Sequence, residues 1–220
     1  MFYPRAFSRY FEPFLGSGAV FFDLAASDAL AGRDVILSDV NGDVIGCYQA
    51  LRGHTAQVLR HLAALATGHA RAPERHYYEV RDGRFNPRRR ALMARSGAAL
   101  RRARYPAELA AMLIYLNRTG FNGLFRLNAR GAFNVPAGRY ANPTVCDAPT
   151  LRAAARALAG PRVRLCDAPF EEVLAEAGRG DFVYLDPPYA PLSATASFTG
   201  YTEGGFGADD QRRLRDVVVA

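Results

Sequence analysis

Apolar residues gather in short runs along the chain, and most of these runs end at an acid or a glycine turn. Residues 11–22 (Phe-Glu-Pro-Phe-Leu-Gly-Ser-Gly-Ala-Val-Phe-Phe) read as a strand end, a tight turn and a helix start. Val35-Ile36-Leu37-Ser38 is a run of the length and β-branched content of a buried parallel strand, and it stops at Asp39. Val44, Ile45, Tyr48 and Leu51 then recur near helical spacing, which predicts a helix over 41–51. The same rhythm returns late in the chain. Residues 162–166 form a strand ending at Asp167, a helix starts at 170–174, and Phe182-Val183-Tyr184-Leu185 is a strand ending at Asp186. A last helix is expected over 209–219.

Between these halves the character changes. Arginine is dense (Arg88-Arg89-Arg90, Arg101-Arg102, Arg104), and Leu109, Met112, Leu113 and Leu116 mark a helix. A stretch of alternating polar, aromatic and glycine residues follows, from Asn117 to Arg126 and on to Arg139; it suits a loop or loose hairpin that presents side chains outward. The pattern predicts an α/β protein with a Rossmann-like core and a partial parallel sheet, built from 1–53 and 161–220. A mostly helical insertion spans 54–160. About four strands are few for an open α/β sheet, so a chain incomplete at one or both ends is expected.

Composition changes this picture in one respect. Half of the 220 residues are hydrophobic and 22% are charged, as in an ordinary globular protein. The net charge is +7, and all 28 basic residues are arginine. A GC-rich genome accounts for arginine in place of lysine, but the excess of positive charge points to a polyanion such as nucleic acid. Cys47, Cys146 and Cys166 lack disulfide or zinc spacing, and His54, His61, His69 and His76 lack a metal-ligand pattern; they read as solvated helix surface. No signal peptide or membrane-spanning run is present, and the cytoplasm is the expected compartment.

Three acids, Asp39, Asp167 and Asp186, sit just past the carboxyl ends of predicted strands, where open α/β sheets bind ligands. Asp39 lies 21 residues beyond Gly18, the separation at which an acid grips ribose hydroxyls; its alternative role is to cap the helix that follows. The turn is Gly-x-Gly without a third glycine, which argues against a dinucleotide.

Asp186-Pro187-Pro188-Tyr189 is more specific. Two prolines fix the backbone and remove two donors, leaving carbonyls that can accept. The Asp186 carboxylate and the Pro187 carbonyl can accept from one amino group while Tyr189 stacks on the base that bears it. An exocyclic amine is a poor nucleophile, because its lone pair is delocalised into the ring. Two acceptors that draw it toward tetrahedral geometry restore that lone pair, as methyl transfer from a sulfonium requires. In duplex DNA the base must first flip out. Phe121 can wedge into the gap, Arg126 and Arg139 can read guanine edges or grip phosphate, and Leu124 and Pro136 can touch a thymine methyl. Alternatively Phe121 and Leu124 pack the insertion's own core.

Taken in order, Glu12-Pro13-Phe14-Leu15-Gly16-Ser17-Gly18, Ser38-Asp39-Val40-Asn41-Gly42-Asp43, Tyr115 to Leu124, Asn134-Val135-Pro136 and Asp186-Pro187-Pro188-Tyr189-Ala190-Pro191-Leu192 resemble the DNA adenine methyltransferase (Dam) family, the D12 class of N6-adenine enzymes. The resemblance covers nearly the whole chain. It implies an S-adenosyl-L-methionine-dependent enzyme acting on double-stranded DNA, a monomer with no membrane contact. In that reading Glu12, Pro13, Phe14, Gly16, Gly18, Asp39, Asp167 and Asp186 hold the cofactor, and Asp186, Pro187, Pro188 and Tyr189 form the catalytic loop. Phe121 and Asn122 handle the gap left by the flipped base, and Leu124, Arg126, Pro136 and Arg139 read GATC. Family members begin with a segment resembling Lys-Trp-Ala-Gly-Gly-Lys and continue past the last helix with further strands. This chain starts Met1-Phe2-Tyr3-Pro4 and stops after its helix. The competing expectations are a cytosine-N4 or RNA amino methyltransferase, and a DNA-binding remnant without catalysis.

Overall fold

The computed structural model describes residues 3–95, 105–188 and 206–219. Tyr189 and the Ala190-Pro191-Leu192 continuation lie outside these residues, as do Arg101, Arg102 and Arg104. Four strands form one sheet: β1 (Tyr10–Glu12), β2 (Val35–Ser38), β3 (Val163–Cys166) and β4 (Phe182–Val183). Their order is β3-β2-β1-β4, and every pair is parallel. The two central strands are buried on both faces, as their unbroken apolar runs predict, whereas β3 and β4 are only partly covered. The expected strand over 182–185 is shorter than its apolar run, because pairing with β1 stops at Val183.

Side-chain alternation splits the core in two. Tyr10, Val35 and Leu37 face one layer, together with Phe21 and Leu24 of α1 (Ala19–Ala26); Phe11 and Ile36 face the other, with Val173 of α7 (Phe170–Leu174).

The helix expected over 41–51 is far longer. As α2 it runs Gly42–Arg71, with a kink at His54 (φ −140°, ψ 35°). Gly53 weakens the helix there, and the Thr55 hydroxyl donates back to the Leu51 carbonyl at 2.7 Å. Val58, Leu62 and Leu65 keep the helical register beyond the kink and are buried. They pack toward α5 (Ala107–Thr119), which is apolar on nearly all sides and therefore central. Between these two lie α3 (Pro73–Tyr78), a π-helical turn (Glu79–Phe85) and α4 (Asn86–Arg95); α6 (Ala148–Leu158) leads back to β3, and α8 (Ala208–Val219) lies last. One hydrophobic core runs from Tyr10 and Leu37 through α2 to Met112, Tyr115 and Phe133. The histidines are less solvated than expected. Burial holds the His69 and His76 imidazoles below their ordinary range, and both stack edge-on against Tyr115. No described helix is long and apolar enough to cross a membrane.

Candidate active site and exposed hairpin

Because the sheet is wholly parallel, all four carboxyl ends share one edge. The register fixes what stands there. Ser38 pairs with Cys166, Glu12 with Leu37, and Phe11 with Val183. Asp167, Asp39, Phe14 and Asp186 each follow the end of their strand by one to three residues, so the strand order sets them along this end of the sheet as a row, in that sequence. Strands lie about 4.8 Å apart, so the row spans roughly 14 Å. It is long enough for an extended ligand that meets a carboxylate at both ends.

The middle of the row is tightly built. Gly16 (φ 47°) and Gly18 (φ 65°) turn the chain between β1 and α1 in the left-handed region that side chains resist. Asp39, buried at 3% exposure, accepts from the Gly16 N–H at 2.9 Å through Oδ2 and from the Asn41 N–H at 2.8 Å through Oδ1. Tyr48 donates its hydroxyl to the Gly16 carbonyl at 3.0 Å. Asp39 does not cap α2. The cap is Asn41, whose side chain accepts from the Asp43 N–H at 3.1 Å. A carboxylate accepts up to about four hydrogen bonds, so the backbone bonds to Asp39 are compatible with a hydroxylated ligand. Phe21, at the place of a third glycine, is buried in the core.

Glu12, the last residue of β1, is only 2% exposed. Tyr10 donates its hydroxyl to Glu12 Oε2 at 2.7 Å. Burial pushes the Glu12 carboxyl up to about 7; the Tyr10 and Phe21 donors pull it down, and the neighbouring Asp186 charge pushes it up again. Asp167 is half-buried, and the Ser38 hydroxyl fixes its loop by donating to the Ala168 carbonyl at 2.7 Å.

Asp186 is exposed at the end of the row, with Pro187 and Pro188 half-buried behind it. What holds this loop comes from residues distant in sequence and is not legible in the motif. Gln211 of α8 donates to the Pro188 carbonyl at 3.1 Å, and Arg213 of the same helix pairs with Glu171 of α7 at 3.1 Å. Phe14, Phe170 and Phe206 form an aromatic cluster beside it, with ring centroids 5.4–6.3 Å apart. Val40, 41% exposed directly after Asp39, is an apolar surface that the motif reading also passed over.

The second group of expected residues lies on a hairpin. Phe121 to Gly123 make a 3-10 turn, with Asn122 at φ 52°. Phe121 donates its N–H to the Pro136 carbonyl at 2.9 Å, and bridges join Gly120 to Ala137 and Leu127 to Phe133. Phe121 is 50% exposed, so of the two readings offered for it, packing into the insertion's core is overturned. Leu124 is half-buried: part of its side chain packs against the core and part stays open to solvent, which leaves both readings of it in place. Asn122, Pro136 and Arg139 are exposed with Phe121, and so is Tyr140, which no motif in the chain singles out. Arg126 is half-buried, and its Nε donates to Asn134 Oδ1 at 2.9 Å, which fixes the guanidinium plane.

A cavity of about 880 Å³ lies on the helical side of the Gly16 turn, walled by Phe22, Tyr48, Leu51, Leu113 and Phe125. None of the row acids lines it, and its apolar walls do not match the row's chemistry.

A four-stranded, wholly parallel α/β sheet with acids on its carboxyl edge, interrupted by a mostly helical segment that carries an exposed hairpin, is the architecture of a methyltransferase fold. The comparisons specify which. The profile of the D12 class N6 adenine-specific DNA methyltransferases matches residues 3–219, and the chain belongs to that family. It is 37% identical over 218 residues to the Type II methyltransferase M1.LlaDCHI of Lactococcus lactis subsp. cremoris, covering 97% of this chain and 68% of the relative. It is 35% identical over 210 residues to the DNA adenine methylase of Salmonella typhi, covering 94% and 65%. A third relative, the DNA adenine methylase of Escherichia coli (strain K12), is 34% identical over 207 residues. The chain thus spans about two thirds of the length of these relatives.

Proposed function

We propose that this chain transfers a methyl group from S-adenosyl-L-methionine to the N6 amine of an adenine flipped out of double-stranded DNA, within GATC. The observation that carries the reading is the row: two carboxylates at one end, an aromatic ring, and the exposed Asp186 with two prolines at the other.

The donor set fits this cofactor. A nucleoside end presents ribose hydroxyls and an adenine amine, which match acceptors at Asp39 and Asp167. A methionine end carries positive charge, which suits Glu12 and Asp186, with Pro13, Phe14, Gly16 and Gly18 shaping the turn around it. The anionic pyrophosphate of a dinucleotide would meet the same acids with repulsion. When bound, the cofactor supplies an electrophilic methyl on a sulfonium, whose loss leaves a neutral thioether.

The chain's own residues position the nucleophile. Asp186 and the Pro187 carbonyl accept from the two N–H groups of the adenine amine, hold the nitrogen lone pair toward the methyl, and stabilise the positive charge that develops on nitrogen. Tyr189 is assigned the stacking role by its place in the motif. Phe121 and Asn122 take the space the base leaves, while Leu124, Arg126, Pro136 and Arg139 read the flanking bases. In this division 54–160 reads DNA, and 1–53 with 161–220 transfers the methyl group.

The test is incubation with cofactor carrying a labelled methyl and GATC-containing duplex, followed by nucleoside analysis. Label on N6 of adenine is expected, and Asp186→Ala should abolish it while DNA affinity stays within about twofold. Label on cytosine N4, or duplex binding with no transfer, would overturn the assignment.

A further inference from the structure

The second strand of the hairpin, residues 131–137, is gripped by a single face of the helical segment 73–95. Tyr77 and Arg81 donate to the Val135 carbonyl, each at 2.9 Å. Asn86 exchanges two hydrogen bonds with Phe133, at 3.0 and 2.9 Å. Arg89 donates through one terminal nitrogen to the Gly131 carbonyl, at the turn where Asn128 accepts from the Arg130 and Ala132 N–H groups.

Arg89 differs from the other three in where its other end is anchored. It is 4% exposed, and its Nε donates to Asp43 Oδ2 at 2.6 Å; Asp43 is wholly buried and also accepts from the Tyr105 hydroxyl at 3.0 Å. The Asp43 N–H donates to Asn41, and the Asn41 N–H donates to Asp39. An unbroken series of hydrogen bonds therefore leads from the hairpin turn to the acid row. Burying two charges is costly, and apolar residues of similar volume would stabilise as well or better, so stability alone does not explain the pair. Its geometry does more: the planar fork fixes two points at once, a carboxylate on α2 and a carbonyl on the hairpin.

We propose that Arg89 is a specificity-determining positioning residue, which sets the hairpin's placement relative to the acid row and so governs base discrimination without touching DNA. This rests on the methyltransferase reading above. Arg126 and Arg139 are carried by the strands on either side of the turn that Arg89 holds, so a shift of that turn moves both away from the base edges.

The test is the ratio of kcat/KM for a GATC duplex to that for each single-base variant, measured for the unaltered chain, Arg89→Lys and Tyr105→Phe. Loss of folded protein lowers all rates alike and leaves this ratio unchanged, so a merely structural role would not move it. Lysine keeps the charge opposite Asp43 but, as a point donor, does not span both partners. The ratio should fall about tenfold or more in Arg89→Lys, the size of one lost base contact, and stay within about twofold in Tyr105→Phe. An unchanged ratio in Arg89→Lys overturns the proposal. If that variant does not fold, the neutral pair Asp43→Asn with Arg89→Gln is read instead; failure of both to fold makes the pair a stability element and also overturns it. If the unaltered chain transfers no methyl group, the methyltransferase reading fails, and the ratio is taken from equilibrium duplex affinities. Equal affinity of the unaltered chain for all duplexes then overturns the present proposal as well.

Discussion

Replacing Glu12 by glutamine separates two consequences of burying a carboxyl at the end of β1. Its pKa stands at about 7 against an ordinary 4.5, chiefly through burial. Between those pH values the folded chain keeps a proton that the unfolded chain has released. The contribution is thus fully present below pH 4.5 and is lost as pH rises through 7. At about 1.4 kcal/mol per pH unit, the loss across this window is about 3 kcal/mol. Glu12→Gln removes the titration, but its amide offers one oxygen to the Tyr10 and Phe21 donors, so a net gain of about 1–2 kcal/mol at pH 8 is expected. Urea unfolding followed by circular dichroism from pH 5 to 8.5 measures it. His69 and His76 act in the opposite sense, with stability present above the ordinary histidine range and lost as pH falls; both occur in each protein and cancel in the difference. Cofactor affinity should rise with pH through 7 in the unaltered chain, as Glu12 ionises against the cationic end, and lose that rise in Glu12→Gln. Parallel stability profiles for the two proteins would refute the assigned ionisation.

Arg126→Ala should relax preference at a guanine by about 1–3 kcal/mol, read from kcat/KM on single-base variants; an equal loss on every sequence would assign it to phosphate. Gly46→Ala places a Cβ 2.5 Å from the Tyr105 ring, which must move away from Asp43. Overpacking there should cost about 1–3 kcal/mol in urea unfolding, and a neutral result would mean that α2 and Tyr105 yield easily.

The elements that position the site were legible because each is a local pattern. Val35 to Leu37 and Phe182 to Val183 are apolar runs stopped by turns, and the acids follow them directly, so the carboxyl edge could be populated from sequence. The length of α2 was not legible, because Gly53 and the polar stretch around His54 imitate a helix end, and only packing on α5 carries the helix past it. Gln211 on the Pro188 carbonyl, Asn134 on Arg126 and Arg89 between Asp43 and Gly131 were equally hidden. Each is a polar side chain meeting a partner that the local pattern does not identify, and nothing in its own neighbourhood distinguishes it from a solvated residue.

The unbroken core from the sheet to Phe133 bears on how specificity could be redesigned. A cassette cut at 54 and 160 would sever α2 at its kink and strip the apolar cover from the sheet, so exchanging it between relatives should yield insoluble chimeras. The portable unit is smaller. It is the hairpin of 120–139 with the four side chains that grip it, Tyr77, Arg81, Asn86 and Arg89, grafted together onto a scaffold that keeps its own α2 and α5.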